Sequence, residues 1–151
     1  MPLPHRPIIT RWGTWLDRVE YYANTFEKIE NILSKLTEED SAVLETTKNS
    51  FSRLRIKLQI DLIFISSNYG FLSCSITKLE RTSLPLTLQI AIVNKAIRKI
   101  EKVNGPIGIQ LNLKMTGIIR KNSSFETLKL FSNIFTGIEH DYLTTNIQIW
   151  K

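Results

Sequence analysis

The sequence predicts an all-α fold, a bundle of about six helices. Apolar residues recur at alternating spacings of three and four along most of the 151-residue chain, which places them on one face of successive helices. Short clusters of glycine, proline, serine and asparagine separate these periodic segments. The composition, 42% hydrophobic and 23% charged, is ordinary for a globular protein. We expect an extended lead-in over residues 1–13, a helical domain over residues 14–137, and a poorly ordered tail over residues 138–151.

The first predicted helix begins at the capping-box-like pair Thr14 and Asp17 and ends near Leu36. Trp15 belongs to its apolar stripe, so we expect this indole in the core. Trp12 precedes the cap, and we expect it to pack across the helix start, with base stacking as the alternative. The stripe consists of seven residues at alternating spacings of four and three: Trp15, Val19, Tyr22, Phe26, Ile29, Leu33 and Leu36.

The middle of the chain predicts two further helices. A second capping signal, Thr37–Asp40, opens a long helix. Its later part, Leu58–Ile65, is rich in isoleucine, which leaves a buried strand as an alternative. Ser66–Gly70 breaks the pattern, and a short helix follows that carries Cys74, interpreted as a small core residue rather than a reactive thiol.

Three more helices are predicted in the second half. Thr82–Pro85 opens one, Asn104–Pro106 ends it, and another follows from Ile107. Asn122–Ser124 caps the last helix, which Gly137 closes. We expect one apolar face on the helix after Pro85 and one on the last helix. The first face comprises Leu88, Ile92, Ala96, Ile100 and Val103, and the second comprises Phe125, Leu128, Phe131 and Phe135.

Charge is spread unevenly along the chain. The formal net charge is +6, but residues 14–45 carry a net charge of −5 and residues 46–138 a net charge of +10. Four bases share one side of the helix after Pro85, at positions i, i+3, i+4 and i+7. Such a row can follow a phosphate backbone, and the alternative is an ordinary solvated helix face. These bases are Lys95, Arg98, Lys99 and Lys102.

The sequence gives no sign of a catalytic, metal or cofactor site. A single cysteine excludes an internal disulfide framework, and with two histidines it leaves too few ligands for a protein-only zinc site. His5 and His140 lie outside the predicted helices, and no glycine-rich phosphate loop is present. No apolar run is long enough for a membrane span. We therefore expect no metal, no cofactor, no small-molecule substrate and no membrane partner.

The segment Pro7–Leu16, followed by Tyr21, Tyr22 and Phe26, resembles hAT-superfamily transposase-derived proteins. In particular it is similar to the arthropod relatives of the CGG-triplet-repeat-binding protein family, and a looser likeness extends over residues 7–137. In hAT transposases an RNase H-like core carries two aspartates and a glutamate that hold divalent metal. A helical insertion domain lies between the second aspartate and the glutamate.

This resemblance implies that the chain corresponds to the insertion domain. It would place Trp12, with Arg11 beside it, against a base flipped out of the DNA. The family's three metal-binding acids have no counterpart in the sequence, so we expect a catalytically inactive fragment that binds DNA or protein in the nucleus. Its partner would be DNA, through the basic helices and Trp12, or another copy or family member. The alternatives are a stand-alone protein-interaction module and the product of a decayed element without selected function.

Overall fold

The computed structural model describes residues 12–36 and 42–137, and within these ranges the chain forms six α-helices and no strand. The all-α prediction is therefore confirmed for the described residues. Arg11, the capping signal Thr37–Asp40 and the tail over residues 138–151 lie outside them. The helices are α1 (Trp12–Lys35), α2 (Ala42–Tyr69), α3 (Phe71–Leu79), α4 (Leu86–Glu101), α5 (Gly105–Lys121) and α6 (Ser123–Phe135).

The helices fall into two compact units, with the boundary between Ile76 and Thr77 inside α3. The first unit contains α1, α2 and most of α3, and the second contains α4, α5 and α6. The sequence predicted a single helical domain over residues 14–137, because no change in composition marks this boundary.

In the first unit, α1 and α2 pack as a helical hairpin. The ring of Phe26, which is buried, stacks on that of Phe51 with the centroids 5.4 Å apart. Beside them the guanidinium of Arg55 binds the carboxylate of Glu30 through two hydrogen bonds, one of them 2.8 Å long from Nη2 to Oε2. The predicted stripe of α1 thus packs on α2 at its centre.

The start of α1 packs against α3. The helix begins at Trp12, before the predicted cap, and Gly13 is buried against Ser73. The Ser73 hydroxyl donates a hydrogen bond to the carboxylate of Asp17. Asp17 therefore links two helices instead of capping one. The expectation that Trp15 is a core residue is wrong, because its side chain is 52% exposed.

The second helix runs without a break from Ala42 to Tyr69, so the strand alternative over Leu58–Ile65 is wrong. Tyr69 is buried and meets the ring of Phe64 edge-on. Cys74, predicted as a small core residue, is exposed. The preceding residue of α3, Ser73, takes the buried position instead, and successive residues on a helix point about 100° apart.

In the second unit, α4, α5 and α6 each contact the other two. Ile90 and Val103 are its buried apolar residues. The predicted apolar face of α4 is wrong at Leu88, which is 51% exposed. Each spacing of four residues advances about 40° around a helix, so three such steps carry Leu88 roughly 120° away from Ile100.

The last helix buries a serine and leaves most of its large apolar residues exposed. Ser132 is buried, whereas Phe131 and Phe135 are 50% and 76% exposed. The expectation that these phenylalanines face the core is therefore wrong at both positions. Because a serine side chain is short, it allows a close approach between helices, and the apolar stripe of α6 is left facing solvent.

Candidate nucleic-acid interface

The exposed side of α4 carries the four bases that the sequence placed together. Lys95, Arg98, Lys99 and Lys102 are all exposed, and Lys102 is the C-cap residue of the helix. At 1.5 Å per residue the row spans about 10 Å along the helix. The opposite side packs into the second unit through Ile90, which is 8% exposed. The helix thus presents its bases on the face turned away from its own core.

Two of these bases also stabilise the helix that carries them. Arg98 and Lys99 lie in the last turn of α4, where positive charge interacts favourably with the helix dipole. Arg98 donates a hydrogen bond of 3.3 Å from Nε to the carbonyl of Asn94. Within residues 12–36 and 42–137 no ion pair occupies Lys95, Arg98 or Lys102, so these three cations are available to an external anion.

A groove of about 830 Å³ lies next to this row, where α4, α5 and α6 meet. Arg98 forms part of its wall, and Arg120 from the last turn of α5 forms another part. The sequence did not reveal this groove, because its wall combines side chains from three helices whose packing the apolar spacing does not determine. It is lined by Asn94, Ile97, Arg98, Glu101, Met115, Thr116, Ile119, Arg120, Ser123, Glu126 and Lys129.

The tryptophan predicted to contact DNA, Trp12, lies in the first unit. Trp12 is the first residue of α1 and is 77% exposed, so it does not pack across the helix start as expected. Trp15, three residues on, shares this side of the first turn. The two indoles form an exposed aromatic surface of the kind on which bases stack. Arg11, the predicted neighbour of Trp12, lies outside the described residues.

The bases of α2 do not form a comparable row. Arg55 is held by Glu30, and this hydrogen bond lowers the pKa of the Glu30 carboxyl below its ordinary value and raises the pKa of the Arg55 guanidinium. Arg53 and Lys57 are exposed on either side of it. Of these three bases, only the central one therefore joins two helices among the described residues.

The described part of the chain offers neither a metal-binding cluster nor a membrane span. No three histidine, cysteine, aspartate or glutamate side chains lie close enough there to hold a metal ion. Among the six helices, α2 is the longest at 28 residues, and neither it nor any other has an apolar stretch that would cross a bilayer.

Comparisons with protein-family models, with curated proteins and with solved structures found no match. The likeness to hAT transposase-derived proteins therefore stays a prediction, carried by the segment Pro7–Leu16. The surface features of the two units are the remaining basis for a function.

Proposed function

We propose that the second unit binds the phosphate backbone of DNA through the basic face of α4, the face formed by Lys95, Arg98, Lys99 and Lys102. The observation that carries this proposal is the common exposure of these four bases on one side of a packed helix. Residues 77–137 hold ten bases and three acids, a net charge of +7, so the local field also attracts polyanions.

The dimensions of the basic face set the expected strength. One strand of DNA carries a phosphate about every 3.4 Å, so a face of about 10 Å spans roughly three phosphates. Contacts of this kind position a protein on DNA without reading its sequence. We therefore expect similar affinity for unrelated duplexes, and a plot of log K against log salt concentration with a slope of about −3.

The test is a fluorescence-anisotropy titration of a labelled 20-base-pair duplex between 50 and 200 mM NaCl. The key variant replaces Lys95, Lys99 and Lys102 with Gln, and it should bind weakly with a slope closer to zero. A matched control replaces three exposed lysines of the first unit, Lys28, Lys35 and Lys57, and so removes the same net charge.

Two results would contradict the proposal. One is the absence of salt-dependent binding by the unmodified chain below about 10 μM. The other is equal weakening in the two triple variants, which would mean that total charge matters and the α4 face does not. Since all six lysines are exposed, both variants should keep their helical content, and circular dichroism checks this.

A second candidate function is association with another copy of the chain through α6. Leu128, Phe131 and Phe135 recur along one side of this helix at spacings of three and four, and all three are exposed. The charged residues of α6, Glu126 and Lys129, pair with each other at 2.8 Å. At about 100° per residue, neither of them lies on the side that carries Leu128, Phe131 and Phe135. That side has no charge, so a second copy would meet no like-charge repulsion there.

The origin in a hAT-type insertion domain, the lack of catalytic activity and the nuclear location are parts of the same proposal. They are supported by the resemblance of Pro7–Leu16 and, for the origin, by the all-helical fold of the described residues. Incubation of the purified chain with a transposon-end duplex and Mg²⁺ or Mn²⁺ tests the catalytic part, and any cutting or joining would contradict it.

A further inference from the structure

The groove between α4, α5 and α6 combines apolar walls with unpaired cations. Its volume of about 830 Å³ lies within the range of small-molecule sites. Ile97, Met115 and Ile119 supply apolar surface, and Thr116 and Ser123 supply hydroxyl groups. A groove of this composition accepts a ligand with a flat, largely apolar part and a few polar edges.

The charged groups of the groove are not equivalent. Lys129 binds the Glu126 carboxylate at 2.8 Å and also lies 4.6 Å from the centre of the Phe125 ring, so its charge is already used. Neither Arg98 nor Arg120 forms an ion pair within the described residues. The remaining carboxylate, Glu101, follows Arg98 by one turn. Apart from the paired Glu126 and Lys129, the groove lining thus contains two guanidinium groups and one carboxylate.

We propose that this groove binds a nucleotide that ends in a phosphomonoester, with the phosphate on Arg98 and Arg120 and the base against Ile97, Met115 and Ile119. Planar guanidinium groups donate paired hydrogen bonds to phosphate oxygens. A terminal phosphate carries close to two negative charges at neutral pH, more than the phosphodiester within a strand. Two arginines therefore favour a chain end or a free nucleotide over an internal position.

Two kinds of ligand present a nucleotide with a terminal phosphate, a free nucleotide and the end of a DNA strand. A free nucleoside monophosphate would make the groove a small-molecule site, independent of the proposed function. The terminal nucleotide of a DNA strand would make it an extension of the basic face of α4, and in that case it rests on the proposed function. Arg98 belongs to both surfaces, whereas Arg120 belongs to the groove and not to the face, which allows the two to be separated.

The experiment follows the backbone amide signals of the isotope-labelled full chain by NMR during titration with five probes. The probes are deoxyadenosine monophosphate, deoxyadenosine, inorganic phosphate, and a six-nucleotide strand with or without a 5′-phosphate. We expect shifts along Met115–Ser123 with the monophosphate or the phosphorylated strand, and weaker or no shifts with the unphosphorylated counterparts.

Arg120→Gln and Arg98→Gln should each weaken binding about tenfold or more, as expected for loss of a charge-assisted contact. Lys121→Gln, one residue from Arg120 but outside the groove lining, is the matched control and should bind normally. The variant with Gln at positions 95, 99 and 102 should keep the monophosphate while losing duplex DNA, which separates failure of the groove from failure of the proposed function.

Binding of the monophosphate assigns the groove to free nucleotides, and binding of the phosphorylated strand alone assigns it to strand ends. Absence of shifts along Met115–Ser123 with every probe would overturn the proposal. So would equal binding of inorganic phosphate, because no nucleotide would then be recognised. Equal affinity of Arg120→Gln and Lys121→Gln would also overturn it.

Discussion

Two glycine residues of α5, Gly108 and Gly117, have opposite surroundings. Gly108 is buried, and a Cβ built on it would lie 2.1 Å from the carbonyl oxygen of Val103, a backbone atom that cannot move aside alone. Gly117 has open space around the equivalent position. The sequence shows two glycines in one helical pattern and cannot reveal that the turn after α4 folds back over the first of them.

We therefore predict that Gly108→Ala destabilises the second unit by about 1–3 kcal/mol, the usual cost of forcing a methyl group into a filled space. Gly117→Ala should instead stabilise by up to about 1 kcal/mol, because alanine loses less entropy in a helix. Urea unfolding followed by circular dichroism measures both. Equal effects of the two substitutions would show that helix propensity alone decides the outcome.

Tyr69 buries a hydroxyl group for which the described residues supply no hydrogen-bond partner. An unsatisfied buried polar group costs free energy, so Tyr69→Phe should leave the free energy of unfolding unchanged or raise it by about 1 kcal/mol. Tyr22→Phe, at a half-buried position of α1, serves as the control and should change it by less than about 0.5 kcal/mol. Marked destabilisation by Tyr69→Phe in the same urea measurement would mean that this hydroxyl has a partner.

At the element scale, the pair of Glu30 and Arg55 joins α1 to α2 and makes their packing sensitive to pH. The hydrogen bond from Arg55 holds the pKa of the Glu30 carboxyl below its ordinary value of 4.5. A carboxyl whose pKa is lower in the folded state stabilises the fold above its ordinary pKa. That stabilisation is lost as the pH falls through the folded value, while the arginine stays charged.

Glu30→Gln should accordingly lower the unfolding midpoint slightly at pH 7, because the pair is partly exposed and such pairs contribute little. The difference from the unmodified chain should shrink as the pH falls from about 5 to 3. Glu20→Gln, at an exposed position of the same helix, is the control and should show no such trend. A difference that stays constant over this range would count against the pair as its cause.

The helices also show what the periodicity of apolar residues can predict. The number and order of the helices followed from the spacing of apolar residues and from the breaks around Gly70 and Gly105. The face that each helix buries was harder to predict, as Leu88 and Phe131 show. The spacing of apolar residues shows which side of a helix favours burial. The packing of the neighbouring helices determines which residues are buried, and in α6 the buried residue is Ser132.

At the scale of the whole molecule, charge and apolar surface are presented on different helices of the second unit. The basic face of α4 was predictable, since four bases at helical spacing need no partner to share a side. The groove beside it was not, because its walls come from three helices. The basic face of α4 and the apolar side of α6 should respond differently to salt. Binding through charge weakens as ionic strength rises, whereas apolar association does not.

This difference yields a prediction about self-association. If a second copy covers α6, light scattering should show a mass that rises with protein concentration, and the rise should persist in 500 mM NaCl while duplex binding disappears. Phe131→Glu places a charge in the middle of the apolar side and should abolish the rise. Gln110→Glu adds the same charge at an exposed polar position of α5 and should leave it unchanged. A monomeric mass at all concentrations, or an equal response to both substitutions, would remove α6 as an interface for a second copy.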